Sequence, residues 1–255
     1  MKQIPNIFTL FNLFFGCLAI VCTLQNGIAI RDTMEGAQLI DVSERFWLAS
    51  VFIGCAAVID FLDGFVARWL KATSELGKQL DSLADVVSFG VAPSMILYQF
   101  LRLSFATQKN GLEVSVIWLA PAFLFAMAAA YRLGKFNLDP EQTYHFKGLP
   151  TPAAGLFIAG LPMIYWHATQ SYVYGMLLNK WFLYAIILLV SYLMVSNIPL
   201  LALKFEKGNT KKLMPLILIA VIGLIAAILL HWLAVPIIFL SYIILSLVFR
   251  SHRTT

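Results

Sequence analysis

The sequence predicts an all-α fold: a polytopic integral-membrane helical bundle of about eight transmembrane helices, with both termini in the cytoplasm (N-in/C-in). Three observations lead there. Hydrophobic residues make up 60% of the 255 positions and charged residues only 12%, whereas a soluble domain averages roughly 45–50% apolar and about 25% charged. The apolar residues fall in long unbroken runs, not in the short alternating segments of a barrel. Lys and Arg gather in alternate connections between those runs. A soluble enzyme, a secreted cysteine-stapled module and a disordered chain are all excluded.

The runs fall near residues 8–24, 46–66, 86–104, 115–133, 152–168, 181–200, 213–230 and 232–249. A helix needs about 20 apolar residues to cross a bilayer, and in lipid it satisfies its own backbone. The first run lies just behind Lys2 and has no small-residue cleavage pattern, so it reads as a retained span. The second is interrupted by Asp60 and Asp63. The polar crossing ELGKQLDSLAD leads into the third, and GLPTPAAG opens the fifth. A tight outer turn near His231–Trp232 joins the last two. Residues 1–200 form the expected core, and 201–255 a cytoplasmic connector containing KFEKGNTKK plus an additional C-terminal transmembrane hairpin.

With the N-terminus inside, thirteen basic residues fall on the cytoplasmic side, in five clusters: Lys2; Arg68, Lys71 and Lys78; Arg132, Lys135 and Lys147; Lys204, Lys207, Lys211 and Lys212; and Arg250 and Arg253. Five fall opposite: Arg31, Arg45, Arg102, Lys109 and Lys180. This is the positive-inside bias. The net charge of +5 forms no dense basic helix or aromatic–basic platform, so nucleic acid is not an expected partner. Anionic lipid headgroups account for it more economically. Cys17, Cys22 and Cys55 lie in apolar runs without metal or disulfide spacing. His145, His167, His231 and His252 are scattered, and most tryptophans sit near expected membrane edges.

One place breaks the hydrophobic rule. Asp60 and Asp63 are three residues apart on the second span. Asp81 and Asp85 are four apart at the start of the third. Each pair shares a helical face, and consecutive antiparallel helices can bring the two faces together at the cytoplasmic side. Ionisable groups at this depth are expensive and usually face a cavity or partner. Four ionised carboxylates repel one another unless protons or cations intervene. Mg²⁺ and Mn²⁺ suit carboxylate oxygens and phosphate substrates, and two such ions can clamp a phosphoryl group. Gly64 and Gly77 would allow close approach of a diphosphate, and Arg68 could pair with a phosphate oxygen. On spacing alone, metal-assisted phosphoryl chemistry and an ion or proton pathway in a transporter both stay open.

The full stretch is D-x2-D-G-x2-A-R-x8-G-x3-D-x3-D, filled by Asp60, Asp63, Gly64, Ala67, Arg68, Gly77, Asp81 and Asp85. It resembles, position for position, the signature of the CDP-alcohol phosphatidyltransferase family. The resemblance implies a membrane transferase with a CDP-linked lipid donor and two divalent cations, Mg²⁺ or Mn²⁺. It implies Asp60, Asp63 and Asp81 as metal ligands. Asp85 would be the general base, with a contribution to metal binding. Gly64, Ala67, Arg68 and Gly77 would serve the nucleotide and diphosphate.

Three further segments resemble the phosphatidylserine synthase branch of that family. IPNIFTLFNLFFG matches its P-N-x2-T-x2-N opening through Asn6, Thr9 and Asn12, with Asn6 and Thr9 expected near the nucleotide. Capping and interhelical hydrogen bonding are the plain alternative. YRLGKFN resembles R-L-A-R-F-N through Arg132 and Asn137, departing at Gly134 and Lys135. Lys135 keeps the charge but loses the planar fork. HFKGLPTPAAG, with Lys147, resembles F-x-G-L-P-x-P-A-A-G and is otherwise plain turn chemistry.

The branch implies CDP-diacylglycerol and L-serine as substrates, giving phosphatidylserine and CMP. Arg132, Lys135, Asn137 and Lys147 are candidates for acceptor or phosphate binding. Glycerol 3-phosphate, an inositol phosphate or an archaeal-type lipid donor stay open within the family. Membrane lipids are expected surroundings, and a homodimer is the candidate assembly. The expected location is a prokaryotic cell (inner) membrane with the site facing the cytoplasm.

Overall fold

A computed structural model describes residues 4–32, 38–42, 45–70, 74–106, 113–138, 148–198, 200 and 210–249. The chain begins with α1 (Ile4–Leu24). A two-stranded hairpin follows, β1 (Ile28–Asp32) and β2 (Gln38–Val42), antiparallel with Ile28 opposite Val42 and Asp32 opposite Gln38. The all-α expectation does not include this hairpin. IAIRD and QLIDV are alternating, β-branched segments too short and polar to span lipid.

Helix α2 (Phe46–Trp69) carries the first two aspartates. Helix α3 (Glu75–Asp85) carries the second two and runs through a π-helical turn (Val86–Val91) into α4 (Ala92–Ala106). Next come α5 (Val116–Leu119), a 3₁₀ turn (Ala120–Phe123) at Pro121, and α6 (Leu124–Leu138). Helices α7 (Thr151–His167), α8 (Ser171–Leu177), α9 (Lys180–Val195), α10 (Thr210–Leu230) and α11 (Ala234–Val248) complete the chain.

Among the described residues, five helical runs are long and apolar enough to cross a membrane: Pro5–Leu24, Phe46–Trp69, Glu75–Ala106, Val116–Leu138 and Ile217–Val248. A sixth is obtained if α8 and α9, bent by 62°, form one span. The last of the five folds back on itself. His231 adopts φ 50 in the 3₁₀ turn His231–Leu233, and a Cβ placed on Gly223 would lie 3.1 Å from the Ile238 side chain. Helices α10 and α11 are therefore two antiparallel arms.

The polarity pattern is that of a bundle in lipid. Phe46, Phe89, Phe100, Phe125, Ile53, Ile96 and Leu97 are fully enclosed. Phe11, Phe14, Phe61, Trp69, Ile117 and Leu229 face outward. Dispersion contacts and small residues hold such helices together, since lipid is as apolar as a core. The AAG stretch lets α7 touch the π turn: a Cβ on Gly155 would sit 3.0 Å from Phe89 Cα. Gly148 has φ +80, a region that disfavours side chains. Its N–H donates to Ile198 O at 2.8 Å and Leu149 N–H to Leu193 O at 3.0 Å, docking the GLP turn on the end of α9.

Candidate active site

The site is built where α1, α2 and α3 meet. Ser74 caps α3 by accepting from Gly77 N–H at 3.0 Å, a device worth about 1 kcal/mol. Glu75 in the first turn complements the helix dipole. This fixes where α3 starts, and so the positions of Asp81 and Asp85 six and ten residues beyond Glu75. Gly77 is needed for close approach: a Cβ there would lie 3.0 Å from Asn6 Oδ1 and 3.1 Å from Ser74 Oγ.

Asp60, Asp63 and Asp81 converge. One carboxylate oxygen from each lies within 4.8 Å of the other two. Asp60 and Asp81 are within hydrogen-bonding reach of one another, and Asp81 Oδ1 is buried without a hydrogen-bond partner. Carboxylates this close repel unless a proton or cation lies between them. An all-oxygen donor set with an unsatisfied buried oxygen fits a hard divalent cation. Thr9 Oγ1 donates to Asp63 Oδ2 at 2.8 Å, fixing that carboxylate against α1.

Asp85 lies deeper, 7% exposed, and outside the three-carboxylate group. It interacts electrostatically with Asp60, Asp81 and Asp63. Asn12 Nδ2 donates to Asp85 Oδ1 at 3.1 Å. Asn12 is itself held, because Ser88 Oγ from the π turn donates to its carbonyl at 3.0 Å. Gly16 permits that contact, since a Cβ there would lie 2.9 Å from Ser88 Cα. Asn12 is thus a site residue absent from the expected set. The third polar position of the opening motif was the available signal.

Beside the carboxylates lies a cavity of about 500 Å³. Asn6, Thr9, Asp63, Gly64, Ala67, Arg68, Gly77 and Asp81 line it, whereas Asp60 and Asp85 do not. Pro5, Ser74, Glu75 and Lys78 line it as well, and were not among the expected site residues. Lys78 reads from sequence only as an orienting charge. Gly64 meets nothing closer than the Arg68 guanidinium at 3.5 Å. The protein's own packing therefore leaves room for a side chain there.

The acceptor candidates separate. Arg132 is 7% exposed and donates from Nη1 to Thr151 Oγ1 at 3.1 Å. It interacts electrostatically with Asp85. Lys135 and Asn137 are not brought to the cavity. Lys135 Nζ donates to Asn197 Oδ1 at 2.7 Å beyond α9. Asn137 Nδ2 donates to Ser82 Oγ at 2.7 Å, and Lys78 Nζ donates to Asn137 O at 3.5 Å. Both residues tie the end of α6 to neighbouring elements. Lys147 lies outside the described residues.

Comparison with known proteins agrees with this geometry. The chain is 32% identical over 211 residues to a CDP-diacylglycerol–serine O-phosphatidyltransferase of Helicobacter pylori, covering 81% of this chain and 75% of the relative. It is 32% identical over 165 residues to the protein of that name from Bacillus subtilis, covering 65% and 78%. The one from Methanocaldococcus jannaschii is 30% identical over 175 residues, covering 63% and 74%. Residues 2–190 match the CDP-alcohol phosphatidyltransferase family as a whole. With that match spanning all four aspartates, the chain belongs to the CDP-alcohol phosphatidyltransferase family.

Proposed function

We propose that the protein transfers the phosphatidyl group of CDP-diacylglycerol to the hydroxyl of L-serine, giving phosphatidylserine and CMP. The convergence of Asp60, Asp63 and Asp81 beside a cavity walled by Gly64 and Arg68 carries the reading. The serine synthases among its relatives support the choice of acceptor.

Asp60, Asp63 and Asp81 would hold two divalent cations, Mg²⁺ or Mn²⁺, with Asp85 as a fourth donor. Bound there, the cations neutralise the diphosphate and stabilise CMP as leaving group. The chain's own residues do the rest. Asn6, Thr9, Gly64, Ala67, Arg68 and Gly77 shape the nucleotide and diphosphate end. Asp85, fixed by Asn12, takes the serine hydroxyl proton as that oxygen bonds to the lipid-side phosphorus and the bond to the CMP oxygen breaks. Arg132 offers a buried guanidinium to the serine carboxylate, a charge-assisted contact. Lys135 and Asn137, which tie the end of α6 to its neighbours, act further from the reacting atoms, and Lys147 is a further candidate for acceptor or phosphate binding.

Eight spans with both termini inside fit the basic-residue distribution. In this reading the site lies at the cytoplasmic face of a prokaryotic inner membrane. Residues 1–200 are the catalytic core and 201–255 add the connector and last hairpin. The homodimer implied by family resemblance belongs to the same reading.

The decisive assay gives purified protein CDP-diacylglycerol and Mn²⁺ with radiolabelled serine, glycerol 3-phosphate or inositol phosphate in turn. Labelled lipid and CMP are expected with serine. Product only with a phosphate-bearing acceptor would move the assignment within the family and give Lys78, on the cavity wall, the acceptor's phosphate. Gly64 provides a second test. Because no protein atom crowds it, Gly64→Ala is expected to keep the wild-type melting temperature. Displacing the diphosphate should lower kcat/KM about a hundredfold. Unchanged kinetics would remove Gly64 from the substrate surface.

A further inference from the structure

Packing alone does not account for Asn12. It stands in the apolar run FTLFNLFFG of α1, a helix long enough to cross a membrane, and is 0% exposed. Its Oδ1 is buried with no hydrogen-bond partner. A buried polar atom left unpaired costs free energy that a leucine of the same branched shape would not. The compensation lies in the other atom of the amide: Nδ2 donates to Asp85 Oδ1 at 3.1 Å.

The main chain of the same residue is gripped as well. Ser88 Oγ, in the π turn three residues past Asp85, donates to Asn12 O at 3.0 Å. Ser88 is 0% exposed. Gly16 allows the approach, since a Cβ there would lie 2.9 Å from Ser88 Cα. Asp85 and Ser88 lie nearly one turn apart on the same rod, and Asn12 bonds to both. A two-point bracket fixes where the amide stands, and so which carboxylate oxygen it engages.

We propose that Asn12 and Ser88 are positioning residues for the base: from α1 and the π turn they hold Asp85 by Oδ1, so that Oδ2 is the atom that takes the acceptor's proton. The inference rests on the role proposed for Asp85. The hydroxyl proton passes to Oδ2, and the hydroxyl oxygen bonds to the lipid-side phosphorus. The phosphorus–oxygen bond to CMP breaks, with its electron pair leaving on CMP.

The test measures CMP release with serine, CDP-diacylglycerol and saturating Mn²⁺. It compares the purified wild-type protein, Asn12→Leu, Asp85→Asn and the double variant. Asn12→Leu should lower kcat about a hundredfold, the scale of a misplaced catalytic group. KM for CDP-diacylglycerol should stay at its wild-type value, because Asn12 does not line the cavity. Added to Asp85→Asn, Asn12→Leu should cost nothing more, because it acts only through that carboxylate. A merely structural asparagine would lower kcat by the same factor in both backgrounds, which overturns the inference. So do a wild-type kcat in Asn12→Leu and a kcat restored by more Mn²⁺. If Asn12→Leu does not yield folded protein, Ser88→Ala decides. A fall in kcat of about fivefold, one net hydrogen bond, that vanishes in the Asp85→Asn background supports the inference. An unchanged kcat, or the same fall in both backgrounds, overturns it. Wild-type turnover in Asp85→Asn would refute the base itself, a result separable from a null effect at Asn12.

Discussion

Asp85→Asn is expected to lower turnover by about a hundred- to ten-thousand-fold, the span attributed to general base catalysis. The amide keeps an oxygen where Asn12 Nδ2 donates at 3.1 Å, so the local hydrogen bond survives and the fold should not change. What disappears is the basic oxygen that accepts the hydroxyl proton. Binding of CDP-diacylglycerol should persist, because Asp85 does not line the cavity in which Gly64 and Arg68 lie. CMP release by purified protein, set beside donor binding, separates the two effects. Near-wild-type turnover would sink the assignment of Asp85 as base.

Chelation has the second large effect. EDTA should depress activity about a hundredfold or more, the scale set by losing one strong electrostatic stabiliser of the transition state. Mg²⁺ or Mn²⁺ should restore it. Asp81→Asn should raise the cation concentration needed for half-maximal activity, because Asp81 contributes one of three oxygens within 4.8 Å and its Oδ1 has no protein partner. Metal binding can be followed without turnover, by calorimetry with Mn²⁺ alone. Full activity in rigorously metal-free protein would refute the dinuclear reading.

Much of this arrangement was legible in the sequence, for definite reasons. Asp60 and Asp63 share a face because three residues make nearly one helical turn. A short crossing leads to the expectation that α3 faces α2, and the structure brings the two carboxylate pairs together by seating both helices against α1. Composition alone demanded helices that expose Phe11 and Phe61 to lipid. The parts not legible depend on contacts between distant residues. Nothing in local spacing says that Asn12 will hold Asp85, 73 positions away. Nor does it say that Lys135 will turn to Asn197, 62 positions away. The motif resemblance marked Lys135 and Asn137 as equals of Arg132, but only Arg132 faces inward. The hairpin at 28–42 was missed because membrane-scale hydropathy averages out five-residue strands.

The π-helical turn Val86–Val91 has a mechanical consequence. It closes i→i+5 hydrogen bonds and so accommodates one residue beyond the α-helical repeat. One residue corresponds to about 100° of rotation around a helix. The continuous rod from Glu75 to Ala106 therefore has two angular phases. Its first third presents aspartates to the reaction, and its remainder presents Ile96, Leu97 and Phe100 to the core. Like a crankshaft, it lets one rigid body aim two unrelated faces independently. The membrane half can be rebuilt for a different bilayer without turning the carboxylates off their target.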